Sequence, residues 1–503
     1  MTEAPHRQIV RNGLVLRQAQ AQAEKLDILI EGDTIVEIGP AGLAAPEDAK
    51  LVDASRRLVH PGLVNAHTHG HGALGKAMGD RWSLELLLVA GPWLNGSRSL
   101  EEKYLSAALN AAEMALKGCT ACYDLFVEIP APSREGMAAV AKAYGDVGLR
   151  ATIAPMLADL SLYQAIPGLF EALPEPLRRE VERLRPQPYR ATLADVEAFM
   201  KGASLGDDKL KLALAPTIPL HCTDAFLCAC RDCARDFGLG LHSHVAESKV
   251  QAVSAMRRYG RTITAHIDAL GLVGPSFTAA HGVWLDSDDM KLLADKGASV
   301  AHNPGSNMRL GSGIADLRAM LRAGINVAIG TDGSSSSDNQ NMYEATRLAS
   351  FASKVRGPDM NEWLTTGEAL SAATEGGARA LGFQGKIGRI APGYKADLVF
   401  VDLDHINWLP HNATVNQIVH VEDGNAVDSV MVGGRFVVEG RKLKTVDLAA
   451  LARQAEAARE RLAAATAPQR ALAEKLQEVV ATFCIGLAKE PYPIERYGGS
   501  PRG

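Results

Sequence analysis

Between Leu58 and Asp332 the chain alternates strand-like apolar runs with helix-patterned stretches, eight times over. The runs are Leu58–His69, Cys119–Phe126, Leu149–Leu157, Lys211–Ile218, Leu239–Glu247, Phe277–Trp284, Ala298–Pro304 and Asn326–Asp332. Stretches such as "EEKYLSAALNAAEMALKG" and "DNQNMYEATRLASFASKV" lie between or after them. Parallel strands need crossover helices, and eight β–α units over this length predict a (β/α)8 barrel. No other feature constrains the fold as strongly.

The ends of the chain read differently from the middle. "QIVRNGLVLR", "KLDILIEGDTIVEIGP" and "AKLVDASRRLVHPG" near the start, and "GYKADLVFVDLD" and "DSVMVGGRFVVEGRKL" near the finish, have period-two alternation and glycine turns. A small β-sandwich domain built from both ends, residues 1–61 and 390–447, is expected around a barrel of residues 62–389. Residues 448–503 form a helical extension interrupted by Pro468 and closed by an irregular tail. It is expected as a clamp on its own domain, an arm on a neighbouring subunit, or a partly disordered segment. The Pro- and charge-rich connection 158–208 is the largest, and is expected over the barrel mouth.

Composition narrows the function. Of 503 residues 47% are hydrophobic and 22% charged, with a formal net charge of −5, as in ordinary soluble domains and without the basic surplus of a nucleic-acid binder. The first residues lack a charged-then-apolar signal layout, and no apolar run is long enough to span a membrane. A cytoplasmic protein acting on a small molecule, without nucleic-acid or membrane partners and assembled as a homo-oligomer, is expected. Seven cysteines in so long a chain do not make a disulfide framework. Cys228, Cys230 and Cys233 in "CTDAFLCACRDCARDFG" read as helix packing residues, because no second pair closes a metal site.

Barrels of this kind carry their chemistry at the C-terminal ends of the strands. The first run ends in His67 and His69, the fifth in His242, His244 and Glu247, the sixth holds His281, the seventh His302 and the eighth Asp332. Side chains two apart on a strand share a face, so His67 and His69 point together into the mouth. With a third imidazole from the fifth strand and a carboxylate from the eighth they can enclose one divalent ion. Zinc suits that donor set, and zinc lowers the pKa of a bound water to about 7.

The motifs "NAHTH", "HSHVAES", "AAHGVWL", "AHNPGSN" and "GTDGSSSSDN", in this order and spacing, resemble the amidohydrolase superfamily. The resemblance is to its one-metal branch of cytosine, guanine and S-adenosylhomocysteine deaminases and s-triazine hydrolases, and it covers nearly the whole chain. It implies His67, His69, His244 and Asp332 as ligands of one zinc or iron ion. It also implies Glu247 as proton shuttle and His281 as the group orienting water or leaving group, so that Glu247, His281 and Asp332 form the catalytic set. Lys209 and Lys211 lie at the wrong end of the fourth strand for a carbamate-bridged metal pair.

Hydrolytic deamination of an N-heterocycle is the leading expectation. The alternatives are amide, urea or carbamate hydrolysis, or s-triazine dechlorination or dealkylamination, by the same centre; the complete ligand set argues against a non-catalytic scaffold. "APTIP" puts Thr217 where the S-adenosylhomocysteine deaminase pattern has histidine, and "TIAPMLAD" lacks that pattern's arginine. These departures count against adenosine-type substrates and favour a smaller or more apolar ring compound. Candidate substrate contacts are His71, Trp82, Trp93, Tyr163, Thr217, His221, Trp284, His302 and Asn303. His242 is expected to pack beneath the ligands, and His60, ahead of Pro61, to be structural.

Overall fold

The computed structural model describes residues 6–184, 186–202 and 209–498. Eight parallel strands run in chain order around a barrel: β1 (Leu63–Thr68), β2 (Cys119–Phe126), β3 (Arg150–Leu157), β4 (Leu210–Pro216), β5 (Gly240–Val245), β6 (Phe277–His281), β7 (Ser299–His302) and β8 (Asn326–Ile329). The circle closes where the Asp332 amide donates to the His67 carbonyl at 2.9 Å, bringing the first and last strands side by side. This is the (β/α)8 fold that the alternation predicts.

Many inward positions along the strands are small: Ala66, Ala121, Ala154, Ala213, Ala215, Ala301 and Ala328 are buried in one cluster with Val64, Tyr123 and Leu125. Leu381, Phe383 and Ile387, which follow β8 in the chain, join them. A barrel of eight strands is just wide enough for side chains to fill it, and small residues below leave room for rings above. Lys211 donates to the Gly382 carbonyl and lies 4.1 Å from the centre of the Phe383 ring, well away from the mouth.

A second, nine-stranded sheet joins the two chain ends. Its order is Lys442–Leu443, Arg435–Glu439, Val427–Val432, Leu398–Asp402, Arg57–Pro61, Arg7–Val15, Glu24–Glu31 and Thr34–Pro40, with Lys50–Asp53 paired to Arg7–Val15. Val10, Val15, Ile28, Val59, Leu398, Phe400 and Met431 from five of these strands share one core.

The run Leu58–His69, expected as one strand, is two. Arg57–Pro61 pairs antiparallel with Leu398–Asp402, and Leu63–Thr68 enters the barrel. Gly62 is the crossing point: its amide donates to the Asp397 carbonyl at 3.0 Å, and a Cβ there would overlap the Thr120 side chain. Continuous hydrophobicity hides such a break, because both halves are buried.

The extension forms helices Leu448–Ala465 and Ala467–Ala488. Pro468 lies in the first turn of the second helix, where its missing N–H costs nothing. Val480, Cys484 and Leu487 of that helix pack with Val89, Tyr163, Val181 and Val250. The tail then returns over the barrel. Arg496 donates from Nε to the Val283 carbonyl at 3.0 Å and from Nη2 to the Leu285 carbonyl at 2.8 Å. As far as Gly498 the extension packs on its own chain; residues 499–503 lie outside the described residues, as do 185 and 203–208 of the 158–208 connection.

Candidate metal centre and substrate cavity

Three imidazoles meet at the mouth with their Nε2 atoms facing inward. His69 and His244 bring these atoms to 3.3 Å of each other, and Asp332 Oδ1 lies 3.0 Å from Nε2 of His69 and 3.5 Å from that of His67. The opposite ring nitrogens are occupied. Nδ1 of His69 donates to the Leu125 carbonyl and Nδ1 of His244 to the Thr217 carbonyl, both at 2.6 Å. Nδ1 of His67 is 3.2 Å from Nε2 of His242. A carbonyl on Nδ1 keeps the proton there and leaves Nε2 a lone pair, as a metal ligand requires.

His242 sits one layer down, its ring 4.4 Å from that of Tyr123, and its contact with His67 supports that ring. His60 is buried at the junction between sheets, bonded to the Pro61 carbonyl at 2.8 Å and the Tyr343 hydroxyl at 2.7 Å.

His281 stands beside this cluster. Its Nδ1 donates to Asn307 Oδ1 at 2.8 Å, and its Nε2 is 3.7 Å from Glu247 Oε1. The second oxygen, Oε2, of Glu247 is buried without a hydrogen-bond partner, as is His67 Nε2. His281 (φ 69°), Asp332 (φ 63°) and Ala246 (φ 50°), at or just beyond strand ends, have left-handed backbone. Non-glycine residues are held there only at a cost, which concentrates at functional sites.

The electrostatics are those of a dry, crowded site. Burial drives His67 down to about 3, and burial with its neighbouring imidazoles drives His244 well below the usual histidine range. Burial alone would raise Asp332, but the adjoining His67 and His69 imidazoles outweigh it and hold the carboxylate well below its ordinary range. Burial, then the charges of Asp332 and Glu85, push Glu247 well above the usual glutamate range. Two carboxylates pushed apart in this way favour division of labour, one holding charge and the other moving a proton.

A cavity of about 280 Å³ opens above the cluster. His69, His244, Glu247 and Asp332 form its floor, and His71, Thr217 and His221 are in its lining. His71 accepts the Val127 amide on Nδ1 at 3.1 Å, which leaves its Nε2–H to a ligand. The other candidate contacts stand elsewhere. Trp82 packs edge-on against Trp93 at 6.0 Å, and Arg470 of the C-terminal helix lies over Trp93 at 5.2 Å. Tyr163 is in the apolar cluster under that helix. Trp284 is fully buried, bonded to the Ser312 carbonyl at 2.8 Å and covered by Tyr492 and Tyr497. His302 and Asn303 are buried beside and behind His281; Asn303 Nδ2 is 3.4 Å from its ring nitrogens.

Most of the wall comes from residues that motif reading passed over. Leu84, Leu87, Leu88 and Leu94 come from the helix Leu84–Asn95, and Ile129, Pro130 and Pro132 from the loop after β2. The signal was present in "LELLLVAGPWL", whose leucines cover more of the helix than one buried face needs.

Two overlapping sets, His67–His69–His244 and His67–His281–Asp332, each bring their donor atoms within 4.8 Å of one another. With the inward Nε2 of His67 otherwise unpartnered and buried, the residues fit a divalent cation. Among the described residues no helix is long and apolar enough to cross a membrane, and all seven cysteines are free.

The sequence of residues 58–437 matches the amidohydrolase family. A 5'-deoxyadenosine deaminase of Methanobrevibacter smithii is 30% identical over 456 residues, covering 90% of this chain and 98% of the relative. A 5-methylthioadenosine/S-adenosylhomocysteine deaminase of Moorella thermoacetica is 34% identical over 423 residues, 84% of this chain and 91% of the relative. A crystal structure of an adenosine deaminase from Xanthomonas campestris with bound zinc superposes with a TM-score of 0.80 at 28% identity, over 91% of this chain and 99% of the other.

Proposed function

Because the chain belongs to the amidohydrolase family, we propose that it is a one-zinc hydrolase that deaminates an N-heterocyclic small molecule, using water to break the exocyclic bond between a ring carbon and its amino nitrogen and releasing ammonia. The observation that carries this reading is the convergence of His67, His69, His244 and Asp332, with orphaned Glu247 Oε2 and His281 alongside. These four residues would hold the ion, and Thr217, Leu125 and His242 orient their rings. A zinc ion bound there supplies a water acidic enough to lose a proton near neutral pH.

The chain's own groups do the rest. Glu247 takes a proton from the attacking water and returns it to the ring nitrogen or the departing amine. Burial and two neighbouring carboxylates raise its proton affinity, which suits a group that must give the proton back. Asp332 accepts a hydrogen bond from the attacking water and keeps it aimed at the ring carbon. His281, its Nδ1–H held by Asn307, presents Nε2 toward Glu247 and orients the leaving side. Burial of the whole floor excludes bulk water and strengthens each of these interactions.

A panel assay tests the reading. Zinc-loaded protein is expected to release ammonia from at least one of a set of aminopurine nucleosides, aminopyrimidines, pterins and aminotriazines. If all are inert while an anilide or phenylurea yields its amine, the deaminase reading is wrong and the amide or urea hydrolase takes its place.

A further inference from the structure

The floor and the wall of the cavity differ in chemistry, and the wall selects. Above the floor its bulk is Leu84, Leu87, Leu88, Ile129, Pro130 and Leu310, with neutral polar groups such as Asn95, Thr192 and Ser335 between them. Among the described residues that line the cavity there is no lysine or arginine. Arg98 is close in sequence to the leucine helix, but its guanidinium is spent on the Leu94 and His71 carbonyls at 2.8 and 2.6 Å.

The wall's acid, Glu128, is also committed. It pairs with Lys103 at 2.5 Å and accepts from the Ser133 amide and hydroxyl at 2.8 and 2.7 Å. It offers a carboxylate tail repulsion and an ammonium a partner already taken. His221 is held neutral, burial pushing it down to about 4, so it is no cation for a carboxylate.

We propose, resting on the deaminase reading, that this cavity takes a heterocycle bearing an uncharged, apolar substituent and turns away the same ring bearing a zwitterionic amino-acid tail. An ammonium and a carboxylate brought against this wall give up their hydration for neutral partners only, such as Asn95, Thr192 and His71, and ions without a countercharge are costly to bury. A methylthio or methyl end meets the same surface at a gain. The wall thus divides the two ligand types in the name of the Moorella relative, 5-methylthioadenosine and S-adenosylhomocysteine, which share ring and ribose and differ only in the tail.

The test compares those two compounds on the zinc-loaded full chain by ammonia release, and measures their equilibrium binding to zinc-loaded Glu247→Gln. The expected kcat/KM for 5-methylthioadenosine exceeds that for S-adenosylhomocysteine by about 100-fold or more, the range expected for burying unpaired charge. Turnover of both within tenfold, or preference for the homocysteine compound, overturns the proposal and leaves the deaminase reading standing. If neither releases ammonia, nucleoside deamination falls and binding decides: tighter binding of the methylthio compound upholds the selective wall, and equal or absent binding overturns it. In Leu87→Arg, a cation placed in the wall should move the selectivity ratio toward S-adenosylhomocysteine by tenfold or more; an unmoved ratio in folded, zinc-containing protein also overturns the proposal.

Discussion

The two ends of the barrel differ in how far their buried polar groups are paired. At the lower end, Arg150 opens β3 and meets Asp397 through two bonds, at 2.8 and 3.2 Å, while Asp397 also accepts the Gly433 amide at 2.7 Å. His60, nearby at the sheet junction, has a partner on each ring nitrogen. At the mouth, His67 Nε2, Glu247 Oε2, both nitrogens of His302 and Asn303 Oδ1 are buried without partners. Buried polar groups are ordinarily satisfied, so a cluster of exceptions marks where the protein keeps bonding capacity for something else. The lower end spends its polar groups on joining two sheets; the mouth leaves several unpaired, as the proposed ion, water and substrate would require.

That contrast can be broken by experiment. The largest effect is expected at the mouth: Glu247→Gln should cost about a thousandfold or more in kcat, in line with loss of general acid–base catalysis, while zinc content and melting temperature stay close to wild type. Near-normal turnover would remove Glu247 from proton transfer. At the lower end the signs reverse. Arg150→Met leaves Asp397 buried and uncompensated and should destabilise the fold by about 3–5 kcal/mol, read by urea unfolding, with kcat preserved in the folded fraction. If activity falls and stability does not, the two ends are not divided as described.

The third prediction concerns pH. Burial lowers His60 from its ordinary 6.5 to about 4 in the folded state, so the unfolded chain binds a proton more readily. The stability held by the neutral ring is complete above about pH 6.5 and is lost as pH falls toward 4, about 3 kcal/mol in all. His60→Gln should flatten unfolding free energy over that interval; an unchanged slope would show that His60 does not set it. The smallest effect is expected from Arg496→Ala, which releases the tail from the Val283 and Leu285 carbonyls. KM should rise about threefold, roughly the loss of one modest hydrogen bond, with kcat and zinc content unchanged. A drop in kcat instead would place the tail's influence on the floor.

Legibility followed the same division. His67, His69, His244, Glu247, His281 and Asp332 lie at or just beyond strand ends, and strand ends are visible as apolar runs stopping at polar residues. The topology then brings them together without further information. The wall could not be read that way. Trp82, Trp93, Tyr163 and Trp284 have the residue types of a binding pocket, yet Trp93, Tyr163 and Trp284 meet the C-terminal helix or tail and Trp82 packs on Trp93. An aromatic ring serves a core as well as a cavity, and the choice depends on an element more than 180 residues away from any of the four. The break at Gly62 was equally hidden, since two buried strands in series look like one.

What the sequence determined by itself is the alternation of strand and helix and the placing of chemistry-bearing residues at strand ends. Both follow from local periodicity and from the one way parallel strands close into a barrel. Only the tertiary structure decided which imidazole nitrogen faces inward, which leucines make the wall and where the C-terminal extension lies. Those depend on carbonyls and surfaces supplied by distant segments, and no local pattern encodes a partner that the chain meets only when it has folded.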